Sequence, residues 1–143
     1  MTCFFVRPST SQPDFRLVIS FLWGDAANVD TDGNADYPAS HEWTELYCMN
    51  HENEREVFEI LPVLDEPLIL EICSEIPELA ARVTYFLARS TKAHVASTRT
   101  GPWQEIQWLV EKLGDFDLAQ ALQRVDQSRW RFATHENPYP SVG

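Results

Sequence analysis

Apolar residues along the chain follow two rhythms, alternating in the first half and recurring at helical spacing in the second. Phe15, Leu17, Ile19, Phe21 and Trp23 alternate with Arg16, Val18, Ser20 and Leu22. This run, rich in β-branched and aromatic residues, predicts a strand over 15–23 buried largely on both faces. Phe4 to Val6 predicts a shorter strand before it. Segment 24–40, rich in Asp, Asn, Gly and Pro, predicts a long loop. Residues 42–49 and 55–61 predict two strands joined into a hairpin by the polar turn 50–54, and Pro67 opens a further strand over 68–73.

The second rhythm starts after Ser74, which is expected to cap a helix with Pro77 in its first turn. Ile76, Leu79, Ala80, Val83, Phe86 and Leu87 repeat at helical spacing to about Arg89. A short strand is expected near 94–98. A second helix then follows Gly101 and Pro102, with the stripe Trp103, Ile106, Leu109, Val110 and Leu113, and ends at Gly114. Asp115 is expected to cap a third helix with Leu118, Leu122 and Val125 inward, before an extended piece over 129–132. Strands first and helices later is the α+β pattern: a mainly antiparallel sheet of four to six strands, packed by about three helices. One domain is expected over 1–134, with a flexible tail over 135–143 marked by Pro138 and Pro140.

Splitting the three later strands by parity sharpens the picture, because alternate residues point to opposite sides of a sheet. One set, Thr44, Leu46, Cys48, Phe58, Ile60, Leu68, Leu70 and Ile72, suits the core. The other set is Trp43, Glu45 and Tyr47, then Val57, Glu59 and Leu61, then Ile69, Glu71 and Cys73, so each strand sets one carboxylate between two apolar neighbours. If the strands are adjacent, an acidic line crosses an aromatic and aliphatic field, the composition of a surface that docks a basic protein. Trp43 and Tyr47 are the expected anchors, since Trp and Tyr recur at binding hot spots. Trp108 falls off the apolar stripe of the second helix, beside Glu105 and Lys112, and is a candidate second contact.

Net charge changes which partners fit. The 143 residues carry −11, and 16 acids against three bases over 1–78 account for −13, while 79–143 carry +2. That balance repels nucleic acid and anionic membrane surfaces, so neither is expected as a partner. A hydrophobic share of 44% and an aromatic share of 12% belong to a globular chain. Cys3, Cys48 and Cys73 are odd in number, far apart and without a CxxC pair, which predicts neither a disulfide framework nor a zinc ribbon. A reducing, cytoplasmic setting is the simpler expectation.

Few motifs carry chemistry. Asn28, Asp30, Asp32, Gly33 and Asp36 match five positions of a calcium loop, but Ala39 stands where the bidentate Glu belongs. Cys48 with His51 is the nearest thiol and imidazole pair, and Glu52 is the group that could orient it. No phosphate-binding, dinucleotide or serine-nucleophile motif occurs, and no cofactor is expected.

In these respects, small, acidic, Trp-rich and α+β without catalytic motifs, the chain resembles the immunity proteins of bacterial toxin systems. The resemblance lies in overall character and implies a cytoplasmic protein that binds and neutralises a basic toxin or effector domain. The expectation is therefore a non-catalytic docking module working through Trp43, Glu45, Tyr47, Glu59, Glu71 and Trp108. Two rival readings are a small hydrolase or thiol enzyme using Cys48 and His51, and a self-associating structural subunit such as a homodimer.

Overall fold

The computed structural model describes residues 1–141. It is an α+β fold in which six strands form one antiparallel sheet. Strands β1 (Thr2–Arg7), β2 (Val29–Gly33), β3 (Leu46–Asn50), β4 (Val57–Val63), β5 (Ile69–Ser74) and β6 (His94–Ala96) lie in the order β2-β3-β4-β5-β1-β6. The helices are α1 (Arg16–Leu22), α2 (Pro77–Thr91) and α3 (Leu118–Asp126), with 3₁₀ turns at Ile106–Lys112 and Arg129–Phe132. Among the described residues no helix is long and apolar enough to cross a membrane.

The inner sheet face carries Phe4, Val6, Leu46, Cys48, Phe58, Ile60, Leu70 and Ile72, all buried in one core with α1 and α2. Helix α2 packs on β1 and β5. Its entry differs in detail from the expected cap. Ile76 is the extended residue before the first turn, while Ser74 ends β5, accepts the Ile76 N–H at 3.1 Å and donates to the Val57 carbonyl at 2.6 Å.

The largest departure is α1, where alternation predicts a strand. Both parities of 15–23 are apolar because the segment is covered nearly all round by α2, α3 and the 3₁₀ turn Arg129–Phe132. Phe21 alone stacks on Phe86 with ring centroids 4.9 Å apart and meets Phe116 at 5.4 Å. The ends carry helix signals. Asp14 Oδ1 accepts the Arg16 N–H at 3.0 Å, and Gly24, at φ +100°, donates its N–H back to the Ile19 and Ser20 carbonyls. Three carbonyls at the far end, Ser20, Phe21 and Leu22, accept from the Arg124 guanidinium of α3 at 2.6–3.2 Å. Burial holds the Arg124 pKa below its ordinary value, although the Asp117 charge opposes the shift.

Other expectations shift by smaller amounts. Strand β2 lies within the expected loop, and 106–112 winds as a 3₁₀ turn instead of an α-helix. Asp117, not Asp115, caps α3 by accepting the Gln120 N–H at 3.0 Å. Residues 129–132 are helical rather than extended. Of the tail expected over 135–143, residues 142 and 143 lie outside the described residues, and part of the remainder is pinned to the body. Arg16 is bidentate to Asp14 at 2.6 and 2.9 Å, donates to the Pro138 carbonyl at 2.7 Å, and sits 4.0 Å from the Trp130 ring centroid and 5.4 Å from that of Tyr139. Each of the three guanidinium nitrogens of that buried cation thus donates a hydrogen bond, and aromatic rings pack beside it.

The cysteine expectation is corrected. Cys3 and Cys73 form a disulfide although 70 residues separate them, because β1 pairs antiparallel with β5 and sets them face to face. Sequence distance conceals the contact, and Cys48 is the free thiol.

Candidate functional site

The outer face of the sheet is the side from which the helices are absent. Register fixes its neighbours: Asp32 on β2 faces Tyr47 on β3, Tyr47 faces Glu59 on β4, Glu59 faces Cys73 on β5, and Cys73 faces Cys3 on β1. In the next row Leu61 faces Glu71, which faces Phe5. Glu59 and Glu71 are therefore diagonal neighbours, with Cα atoms about 7–8 Å apart in such a pair. Tyr47 is 38% exposed and Leu61 42%, and Glu45 and Glu59 are exposed beside them. Asp32, Glu45, Tyr47, Glu59 and Leu61 line a shallow hollow of about 270 Å³. A Cβ at Gly33 would collide with the Glu45 carbonyl oxygen, so this close approach of β2 to the start of β3 requires glycine.

None of Asp32, Glu45, Glu59 and Glu71 forms an ion pair among the described residues. The face is less open toward β6. There Ile69 and Ala96 are buried, the Arg7 guanidinium lies 4.5 Å from the Trp103 ring centroid, and Arg99 bridges to Asp65 at 2.8 Å.

Two of the expected contact residues lie elsewhere. Trp43 is only 1% exposed, and its indole Nε1 donates to the Pro13 carbonyl at 2.8 Å. Parity fails there because β3 begins at Leu46. Asn34 Oδ1 accepts both the Thr44 and the Glu45 N–H at 2.9 Å, bending the chain out of sheet geometry before the strand starts. Trp108 is half-buried on the helical side, edge-on to Phe4 at 6.1 Å, with Lys112 Nζ 4.5 Å from its centroid. It belongs to a different surface from Tyr47.

The candidate calcium loop does not wrap around a point. Asp30 and Asp32 stand two residues apart in an extended strand, and Asp30 is engaged with His51 Nε2 at 2.8 Å. Asn28 precedes that strand, and its carbonyl accepts the His51 N–H; Asp36 follows the strand and is exposed. Among the described residues, the cluster of metal-type donor atoms is Cys3, Glu71 and Cys73.

The thiol-enzyme reading also loses its nucleophile. Cys48 is fully buried on the inner face, and its thiol is pushed up to about 12, first by burial and then by the negative charge of Asp30. A thiol held there stays protonated at neutral pH. His51 is occupied by Asp30.

The chain matches no protein-family model, no curated protein and no solved structure.

Proposed function

We propose that this chain is a non-catalytic module that docks a basic protein partner on the open face of its sheet, in the manner of an immunity protein neutralising a toxin or effector domain. One observation carries the reading: carboxylates without basic partners stand in adjacent strands around the exposed Tyr47 and Leu61. Like charges on neighbouring strands destabilise a sheet, and a cationic partner relieves that cost. The acidic field speeds encounter, after which Lys or Arg side chains meet Asp32, Glu45, Glu59 and Glu71 while Tyr47 and Leu61 are buried. Trp43 and Trp108 have no part in this surface. The reading places the module in the cytoplasm, where the Cys3–Cys73 disulfide is exposed to the cellular dithiol pool.

The test is capture of basic proteins at low salt by the wild-type chain, by Glu45→Lys/Glu59→Lys, and by a control, Glu111→Lys, on the exposed side of the 3₁₀ turn. The expected result is one basic partner, released by salt, kept by the control and lost by the double reversal while its circular dichroism is unchanged. Retention that ignores the double reversal sinks the reading. Mass that falls on dilution, with no other protein captured, replaces it with self-association.

A further inference from the structure

The outer face holds a second group of side chains, at one edge of the docking surface and sharing Glu71 with it. Cys3 and Cys73 face each other on β1 and β5, Cα atoms 4.1 Å apart, and both are half-buried within reach of solvent. Glu71, two residues before Cys73 on the same face, brings Oε1 to 3.1 Å from the Cys73 sulfur. A disulfide sulfur has no proton to donate, so a hydrogen bond can fill that contact only when the pair is reduced. The two sulfurs and a Glu71 carboxylate oxygen all lie within 4.8 Å of one another.

We propose that the reduced Cys3–Cys73 pair, together with Glu71, binds a divalent cation of the zinc class. A dithiol reductant transfers two electrons into the S–S bond and its two protons to the cysteine sulfurs, leaving as a cyclic disulfide. The cation then displaces both thiol protons to water and is held by two thiolates and one carboxylate. Bond lengths of about 2.3 Å to sulfur and about 2.0–2.2 Å to oxygen put tetrahedral ligand atoms roughly 3.5–3.8 Å apart. Small side-chain rotations on a backbone held by the β1/β5 ladder reach that spacing. Charge favours the same outcome. Two thiolates beside Glu71, with Glu59 opposite Cys73, repel one another in the absence of a cation and attract one when it is present. The thiolates select a soft or borderline ion over calcium or magnesium. Cys48 is excluded as a ligand, being buried on the opposite face.

The site shares Glu71 with the docking surface, but its test needs no partner and reads cation binding alone. The full chain is reduced with a water-soluble phosphine, which becomes the phosphine oxide with oxygen from water and leaves no competing thiol. Cadmium is then added as a zinc-class probe and its thiolate charge-transfer absorption recorded. One cadmium per reduced chain is expected, with none in the oxidised chain. Cys3→Ser and Cys73→Ser should each abolish the band, Glu71→Gln should weaken binding about tenfold or more, and Cys48→Ser should leave it unchanged. Absence of the band from the reduced chain, undiminished affinity in Glu71→Gln, or loss of the band in Cys48→Ser overturns the proposal. So does a reduced chain that loses its circular dichroism and does not regain it with cadmium.

Discussion

The two faces of strands β3, β4 and β5 differ as sharply as any two regions of this molecule. Leu46, Cys48, Phe58, Ile60, Leu70 and Ile72 point inward and are buried against the helices, while Tyr47, Glu59 and Leu61, interleaved with them, are exposed. A period of two along each strand thus separates residues that hold the fold from residues left free to meet something else. The helical side also uses its cations internally. Arg16 is taken by Asp14 and the Pro138 carbonyl, Arg82 by the Leu113 carbonyl, and Arg124 by the end of α1. On the outer face Asp32, Glu45, Glu59 and Glu71 form no ion pair among the described residues, and that acidity persists in the folded chain.

Substitutions on the inner side should break this contrast most strongly. Phe58→Ala removes a large buried side chain and should cost about 3–5 kcal/mol in urea unfolding. Asp14→Ala strands the buried Arg16 guanidinium and should cost about 3–5 kcal/mol, with the contacts of Tyr139 loosened as well. Arg124→Ala should cost about 1–3 kcal/mol, since three carbonyls of α1 lose a charged donor.

A smaller effect should appear in acid. Burial alone would raise the Asp25 carboxyl, but hydrogen bonds from Ser20, Ser128 and the Arg129 N–H, with the Arg129 charge, hold it below its ordinary value. A depressed folded-state pKa contributes stability that is complete above the unfolded value of about 4 and is lost as pH falls through the folded value. Unfolding free energy measured against pH should therefore fall less steeply below about pH 4 in Asp25→Asn than in wild type. The residue is exposed as a whole, so solvent moderates the difference.

The least change is expected on the outer face. Glu59→Gln and Glu71→Gln should shift stability by no more than about 0.5 kcal/mol, toward greater stability, because each removes one like-charge neighbour. Added salt should stabilise wild type more than either variant, as screening does the same work. A loss above about 2 kcal/mol in either would show that the face is part of the core.

Much of this arrangement was legible before folding. The parity of 46–48 and 57–61 sorted core from surface, and over 69–73 it separated buried Leu70 and Ile72 from half-buried Glu71 and Cys73 but set Ile69, which is buried, on the outer side; the spacing of Leu79, Val83, Phe86 and Leu87 marked α2. Parity failed at Trp43, where the Asn34 side chain bends the chain before β3 begins. Helix α1 was masked because a helix covered on nearly every side has apolar residues in both phases. The signals that could have revealed it, Asp14 before the run and Gly24 after it, were present in the sequence.

By itself the sequence determined the α+β class, the acid-rich first half and the alternation that places carboxylates opposite a core, because these depend on local composition and period. Tertiary structure alone decided that Cys3 meets Cys73 beside Glu71, that Trp43 is core and that Glu59 lies diagonal to Glu71. Such neighbours are set by strand order and register between segments distant in the chain, and no local pattern encodes which strands will lie side by side.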